Sequence, residues 1–399
     1  MNLTYSPPNY ASVNSPLMWI LYDANSIDAT KINYKYVAEV WIAGVKVYTE
    51  RSYPRPLGSY GVFDFSTVIR NYVAATFNPA SGILAQQSGE NDFRTADVVI
   101  NVREEYNGTV GAIVFTDTAH YFFNHYNERQ EILTAIAPFK DLPLTNRSKT
   151  NIEIHTGATQ YFIPFFATGT AAVNLTINGV VTTFTPTIPN TCLLINIFIP
   201  GVDSYDVYFG DSQGDVPALF TEDGQIIIGE DGQTITAETA AAGAISNHYK
   251  VNVVFNGLYQ NYLIHFLNKY GAFETMLFNK VSKKRKQIER KDYKQQPYRI
   301  DAAGLVSYGS TYVRNEQRVV FSSRSEEKLR MQTNFVSDAD YLWLSELINS
   351  PQVYLEDTGI CYPVVITDTN YEYKQHIVDS LTTLSIEVDF ASSTNTQFR

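Results

Sequence analysis

A chain of 399 residues is longer than one hydrophobic core normally serves, so two or three domains are expected. Its hydrophobic fraction of 44% argues against disorder over most of the length. The net charge of −11 argues against a general nucleic-acid binder, which neutralises phosphates with basic surface.

The polar, proline-bearing residues 1–10 read as an extended arm and carry no signal-peptide pattern. Leu17–Tyr22 is a short strand. Ile32–Thr49 alternates as a hairpin, with Ile32, Tyr34, Tyr36, Ala38, Val40 and Ile42 on one side and a turn at Ala43-Gly44. A short helix is expected over Thr67–Thr76, capped by Asp64 or Ser66. Ala80 to Arg94 reads as a long polar loop. Ala96–Arg103 and Thr109–Thr116 form a second hairpin around Asn107-Gly108. Asn127–Ile136 is helical or irregular.

Short strands with turn signals every eight to twelve residues then give sandwich spacing from Asn151 to Phe209, with a tight hairpin at Asn178-Gly179. Two Asp-Gly turns, Asp223-Gly224 and Asp231-Gly232, mark an exposed excursion. Strands resume at Lys250–Phe255, Tyr262–Leu267 and Phe273–Phe278. A basic run follows: Lys280 to Lys294 holds eight basic residues against two acidic, a local +6 that leaves −17 on the rest. Val313–Phe321 and Lys328–Phe335 read as strands.

A helix opens at Ser337, with Asp340 at capping-box spacing and Asp338 beside it at the positive end of the dipole. Tyr341, Leu344, Leu347 and Ile348 form its apolar face, and Asn349-Ser350-Pro351 stops it. Strands at Gln352–Asp357, Cys361–Thr367 and Thr382–Phe390 close the chain. No apolar run, Leu193–Pro200 included, approaches a membrane span, so no membrane insertion is expected and the protein reads as soluble and made in a cytoplasm.

Chemistry is hard to find. Gly210-Asp211-Ser212-Gln213-Gly214 fits the nucleophile-elbow pattern, but no helix follows to hold Ser212, and a plain turn is the better reading. A partial calcium-loop pattern over Asp211, Gln213, Asp215 and Glu222 fails at Gln213 and Val216. The six histidines lack metal-ligand spacing, and the two cysteines, Cys192 and Cys361, read as buried free thiols. Glu104-Glu105 and Glu326-Glu327 point to opposite faces of a strand and cannot share a catalytic cleft. The 28 tyrosines fit sheet packing better than sugar platforms. No catalytic residue, metal or cofactor is expected. The basic run admits a nucleic-acid contact, a solvated surface, or docking onto an acidic surface of a neighbouring copy. The third reading makes Lys283, Lys284, Arg285, Lys286, Arg290 and Lys291 the candidate inter-subunit contact.

Three stretches carry a resemblance: Tyr60-Gly61-Val62-Phe63-Asp64-Phe65-Ser66 leading to Arg70-Asn71-Tyr72, Phe266 to Gly271, and Tyr354-Leu355-Glu356 with Pro363 to Thr367 and Tyr371 to Lys374. Together they resemble structural tail proteins of tailed bacteriophages, particularly phages of Bacteroidota. The C-terminal helix and sheet resemble the barrel of tail-tube, distal-tail and baseplate-hub proteins. The resemblance implies a non-enzymatic virion protein of the tail, assembled in the host cytoplasm. Its implied partners are copies of itself in a ring, a hexamer by expectation, and other tail or baseplate proteins. Host surface glycans remain an alternative partner, and sequence-specific nucleic acid is not expected. The expected fold is mainly β: consecutive antiparallel β-sandwich domains and a C-terminal β-barrel-like sheet with one packed α-helix. Its parts are an N-terminal sandwich with a short helix (1–138), a middle sandwich with the excursion at 211–248 (139–279), and a tail-tube-like domain with helix 338–349 (280–399).

Overall fold

A computed structural model describes residues 1–73, 77, 84–86, 98–123, 142–147, 152–156, 158, 160–167, 169–186, 191–199, 201–211, 249–254, 259–310, 316–367, 381–391 and 395–398. Over these the chain is mainly β, in several antiparallel sheets, with two α-helices. By internal contacts it forms two compact units: Met1–Phe255 with Phe266–Met276, and Asn256–His265 with Leu277–Arg399. The segment 127–136, the excursion beyond Asp211 and the junction at 138/139 lie outside the described residues.

The first unit opens with a four-stranded sheet in the order Val45–Ser52, Lys35–Ile42, Val98–Tyr106, Thr109–His120. A three-stranded sheet of Asn2–Tyr5, Met18–Tyr22 and Tyr60–Asp64 accompanies it. Alternation sets which residues turn inward. Tyr36, Ala38, Val40 and Val98, Ile100, Val102 from the first sheet share one core with Trp19, Leu21 and Phe63 from the second. The expected turns close where the local chemistry allows: Asn107 and Gly108 take φ of 53° and 79°, and Asn178 and Gly179 take 47° and 76°. Two consecutive positive φ values match the strand twist, and Asn-Gly accepts them with least strain. Ile32 departs from the expected face and is 64% exposed.

The short helix covers Ser66–Arg70 only, less than the expected 67–76. Asp64 still supports its start, because Oδ1 accepts from the Ser66 N–H at 3.0 Å and from the Leu17 N–H at 3.0 Å. Asn71 N–H then bonds to the Val68 carbonyl and Tyr72 N–H to that of Ile69, a three-residue tightening that ends the α-helix.

Gly61 shows how tightly this core is filled. A Cβ there would stand 2.6 Å from two ring atoms of Tyr36. Tyr36 is fully buried; its hydroxyl donates to the Ser59 carbonyl at 2.8 Å and accepts from the Asp23 N–H at 3.0 Å. The ring is therefore held at its hydroxyl end by two hydrogen bonds. Gly61→Ala is expected to destabilise the unit by about 2–3 kcal/mol, read by urea unfolding. An unchanged midpoint would mean that the ring yields.

The rest of the first unit is a sandwich. One sheet runs Ile152–His155, Tyr249–Val254, Ser204–Asp211, Val173–Ile177, Val180–Phe184; the other runs Leu142–Pro143, Phe162–Ala167, Thr191–Asn196, Leu84–Gln86. Phe165 of the second meets Phe209 and Phe184 of the first at ring centroids of 5.3 and 6.2 Å. Leu84–Gln86 was expected inside a loop and is instead an edge strand on Thr191–Asn196. Asn268 and Thr275 anchor residues 266–276 here: Asn268 Nδ2 donates to the Leu144 carbonyl at 2.7 Å, and Thr275 Oγ1 accepts from the Phe162 N–H at 3.0 Å.

In the second unit the strand order is Tyr262–Leu267, Val353–Asp357, Ile360–Ile366, Ser385–Phe390, Arg318–Gln332, Lys283–Lys294. Arg318–Gln332 is one fifteen-residue strand where two were expected, because polar residues 322–327 pair without a break. The helix spans Asp338–Asn349. Ser337 Oγ accepts from the Asp340 N–H at 3.2 Å and donates to Asp340 Oδ2 at 2.9 Å, so the reciprocal bond runs through the hydroxyl rather than the Ser337 N–H. Tyr341, Leu344 and Leu347 are buried as the periodicity predicts, and Trp343 joins them. No helix of the described residues is long and apolar enough to cross a membrane.

Candidate functional site

The basic run is a strand. Lys283–Lys294 pairs antiparallel with Arg318–Gln332 over twelve residue pairs, with one bulge between Lys291 and Asp292. It stands last in the strand order, so its outer row of backbone N–H and C=O groups meets no further strand among the described residues. All twelve residues of this strand are exposed, whereas Leu329 and Val319 of its partner strand are buried. At about 3.3 Å per residue the strand is roughly 40 Å long. Such an edge is a template for another chain.

The register sorts the predicted contact residues by face. Lys283, Arg285, Gln287, Glu289 and Lys291 share one; Lys284, Lys286, Ile288 and Arg290 share the other. On the first face Lys283 stands opposite Arg330, and Arg285 stands opposite Lys328. Like charges directly opposite are unfavourable; Asp389 at 3.3 Å from Lys328 offsets the second pair. Lys284 and Lys286 have carboxylates at 3.9 Å (Asp357) and 3.5 Å (Glu327). Lys283, Arg285, Arg290 and Lys291 make no ion pair among the described residues. Further out, the guanidinium of Arg318 hydrogen-bonds Asp292 and holds its carboxyl below the ordinary value. A depression of about 190 Å³ is lined by Lys284, Arg285, Lys286, Lys328, Glu327 and Phe390. Lys284, Lys286 and Lys328 pair there with Asp357, Glu327 and Asp389, which leaves Arg285 as the lining cation with no ion pair among the described residues.

The ribbon continues into a small hairpin of Arg299–Ile300 and Val306–Ser307, shaped by Asp301 Oδ1 accepting from the N–H groups of Ala303 and Leu305. Its side chains are apolar and open: Ile300, Leu305, Val306 and Tyr308 are each more than half exposed. Phe321 adds to them at the end of the ribbon. Exposed apolar residues in such a group mark contact surface. The run of charge announced a surface. Neither the strand nor its apolar end was anticipated, since a strand exposed along its whole length shows no hydrophobic alternation.

The remaining sequence candidates separate. Ser212, the calcium pattern beyond Asp211, His125, His248 and His376 lie outside the described residues. Glu104 receives Lys31 and Asn25, each at 2.9 Å, while Glu105 is bound by Lys35 at 2.9 Å and Arg51 at 2.7 Å, so the two carboxylates serve separate ion pairs. His120 bonds to Asp117 at 2.9 Å and stacks on Phe122, a structural role. Both cysteines are free thiols. Cys361 lies with His265 and Glu356, their donor atoms within 4.8 Å of one another, a grouping that sequence spacing did not suggest. Burial, with the nearby Glu356 charge, pushes the Cys361 thiol up to about 12, opposite to what a cysteine nucleophile requires.

No family model matches the chain, and no curated protein matches it.

Proposed function

We propose that the chain is a structural component of a phage tail, of distal-tail or baseplate type, which joins copies of itself into a ring around the tail channel. One observation carries the reading: an exposed edge strand whose Lys283 and Arg285 stand opposite cations and make no ion pair among the described residues, with an apolar end. Asp389 offsets Lys328 within the monomer, and an acidic neighbour would relieve Lys283 and Arg285. The rest of the chain, at −17, supplies acidic surface of the required sign. Strand addition at the open edge contributes backbone hydrogen bonds, and heterologous contacts that close by rotation give rings. A net-acidic subunit also suits a conduit, because DNA phosphates are repelled. The tail-protein resemblance of residues 60–72, 266–271 and 354–374 points the same way.

Light scattering and electron microscopy of the purified full chain test this directly. A closed oligomer of fixed order is expected, and a strict monomer at all concentrations overturns the reading. Reversing the unpaired face with Lys283→Glu, Arg285→Glu and Lys291→Glu is expected to weaken association by at least about tenfold. Added salt acts in the same direction because it screens exposed charges. Association unchanged by the triple reversal would remove the edge strand from the interface. The alternative, receptor-glycan recognition, draws on the Tyr298–Tyr308 pair at the apolar hairpin, with ring centroids 6.2 Å apart. Specific glycan binding lost in Tyr308→Ala would favour it.

A further inference from the structure

The second unit brings three metal-ligating side chains together, two of them buried. His265, Glu356 and Cys361 stand on three strands consecutive in the sheet, Tyr262–Leu267, Val353–Asp357 and Ile360–Ile366. Glu356 and Cys361 are a register pair across the hairpin. His265 is 0% and Glu356 6% exposed, and Nε2 of His265 meets Oε2 of Glu356 at 3.0 Å. Withdrawing an imidazole and a carboxylate from water is unfavourable, and apolar residues of the same volume would fill the space at lower cost. Packing alone therefore does not account for this trio.

We propose that His265, Glu356 and Cys361 form a three-donor site for a divalent transition-metal ion of the zinc class. One imidazole nitrogen, one carboxylate oxygen and one thiol sulfur lie within 4.8 Å of one another, and these are the donor types that zinc takes. Tetrahedral bonds of about 2.0–2.3 Å hold ligand atoms roughly 3.3–3.7 Å apart. The His265–Glu356 separation of 3.0 Å must open slightly and no other separation need close by more than about one ångström, within reach of side-chain rotation. Calcium and magnesium are poor fits, since they call for several oxygen donors and only one carboxylate is offered. Cys361 is the partly exposed member, which leaves the ion an approach and a fourth position for water. On binding, the Cys361 S–H bond breaks, its proton leaves to solvent and the sulfur–metal bond forms; nothing is oxidised. The ion's charge then stands beside Glu356 where the thiol proton stood. Bound metal ties residues 262–265 to the 353–366 hairpin and stabilises the folded unit.

The probe is cobalt(II), added to the purified full chain after treatment with a chelator. One equivalent is expected to give a near-ultraviolet thiolate-to-cobalt absorption that zinc abolishes by displacement. Cys361→Ser loses the band and weakens binding by at least about tenfold, whereas Cys192→Ser keeps it. In the wild-type protein, zinc slows alkylation of Cys361, read by mass spectrometry, so the answer does not depend on a variant folding. Absence of the band at stoichiometric cobalt, an undiminished band in Cys361→Ser, or alkylation of Cys361 indifferent to zinc would each overturn the site. The ring reading rests on other residues and is untouched by that result.

Discussion

Trp19→Ala is expected to remove about 3–5 kcal/mol from the stability of the first unit. Trp19 is 0% exposed and joins the two opening sheets. Its indole meets Phe65, His120 and Phe122 at ring centroids of 5.6, 5.9 and 6.2 Å, the last two edge to face. Its Nε1–H donates at 2.8 Å to Asp117 Oδ2, the oxygen that also meets His120 Nε2 at 2.9 Å. Alanine therefore opens a cavity among rings that are themselves held and takes one donor from a partly buried carboxylate. Trp19→Phe separates the two effects: most of the packing stays, and the lost hydrogen bond contributes about 1–2 kcal/mol. Denaturant unfolding of both variants measures the difference. A loss below about 1 kcal/mol for alanine would mean that Phe65 and Phe122 collapse into the space.

What the sequence made legible was local. Asn107-Gly108 and Asn178-Gly179 dictate their turns through their own φ values, and Ser337 with Asp340 caps a helix through atoms three residues apart. Strand Leu84–Gln86 was hidden because its reason lies a hundred residues on, in its pairing with Thr191–Asn196. The Ser66–Arg70 helix was overextended for a related reason: apolar spacing from Val68 to Val73 continues after the backbone has tightened and left the α-helix.

The candidate surface was half legible. Eight basic residues between Lys280 and Lys294 stand out in any reading of charge. Their arrangement does not, since the Lys283–Arg330 and Arg285–Lys328 oppositions exist only once the register is set. The same holds for His265, Glu356 and Cys361. Ninety-one residues separate His265 from Glu356, and no spacing rule spans that distance; three neighbouring strands bring the side chains together.

The second large effect is expected at that pair. His265→Leu alone, in chelator, leaves Glu356 buried without the 3.0 Å hydrogen bond and is expected to destabilise the second unit by about 3 kcal/mol. Glu356→Leu alone is expected to do likewise. The double variant replaces both buried polar groups by apolar ones and should recover most of the loss. The coupling energy of the cycle, about 2–3 kcal/mol, then measures the interaction rather than either side chain. Amide exchange in peptides covering 353–366 reads it locally. If the double variant matches the parent in chelator, the pair is not retained for stability, and the difference must lie in what the site binds. If it remains as unstable as the singles, the pair holds these strands together on its own account, and the packing argument for a ligand loses its premise.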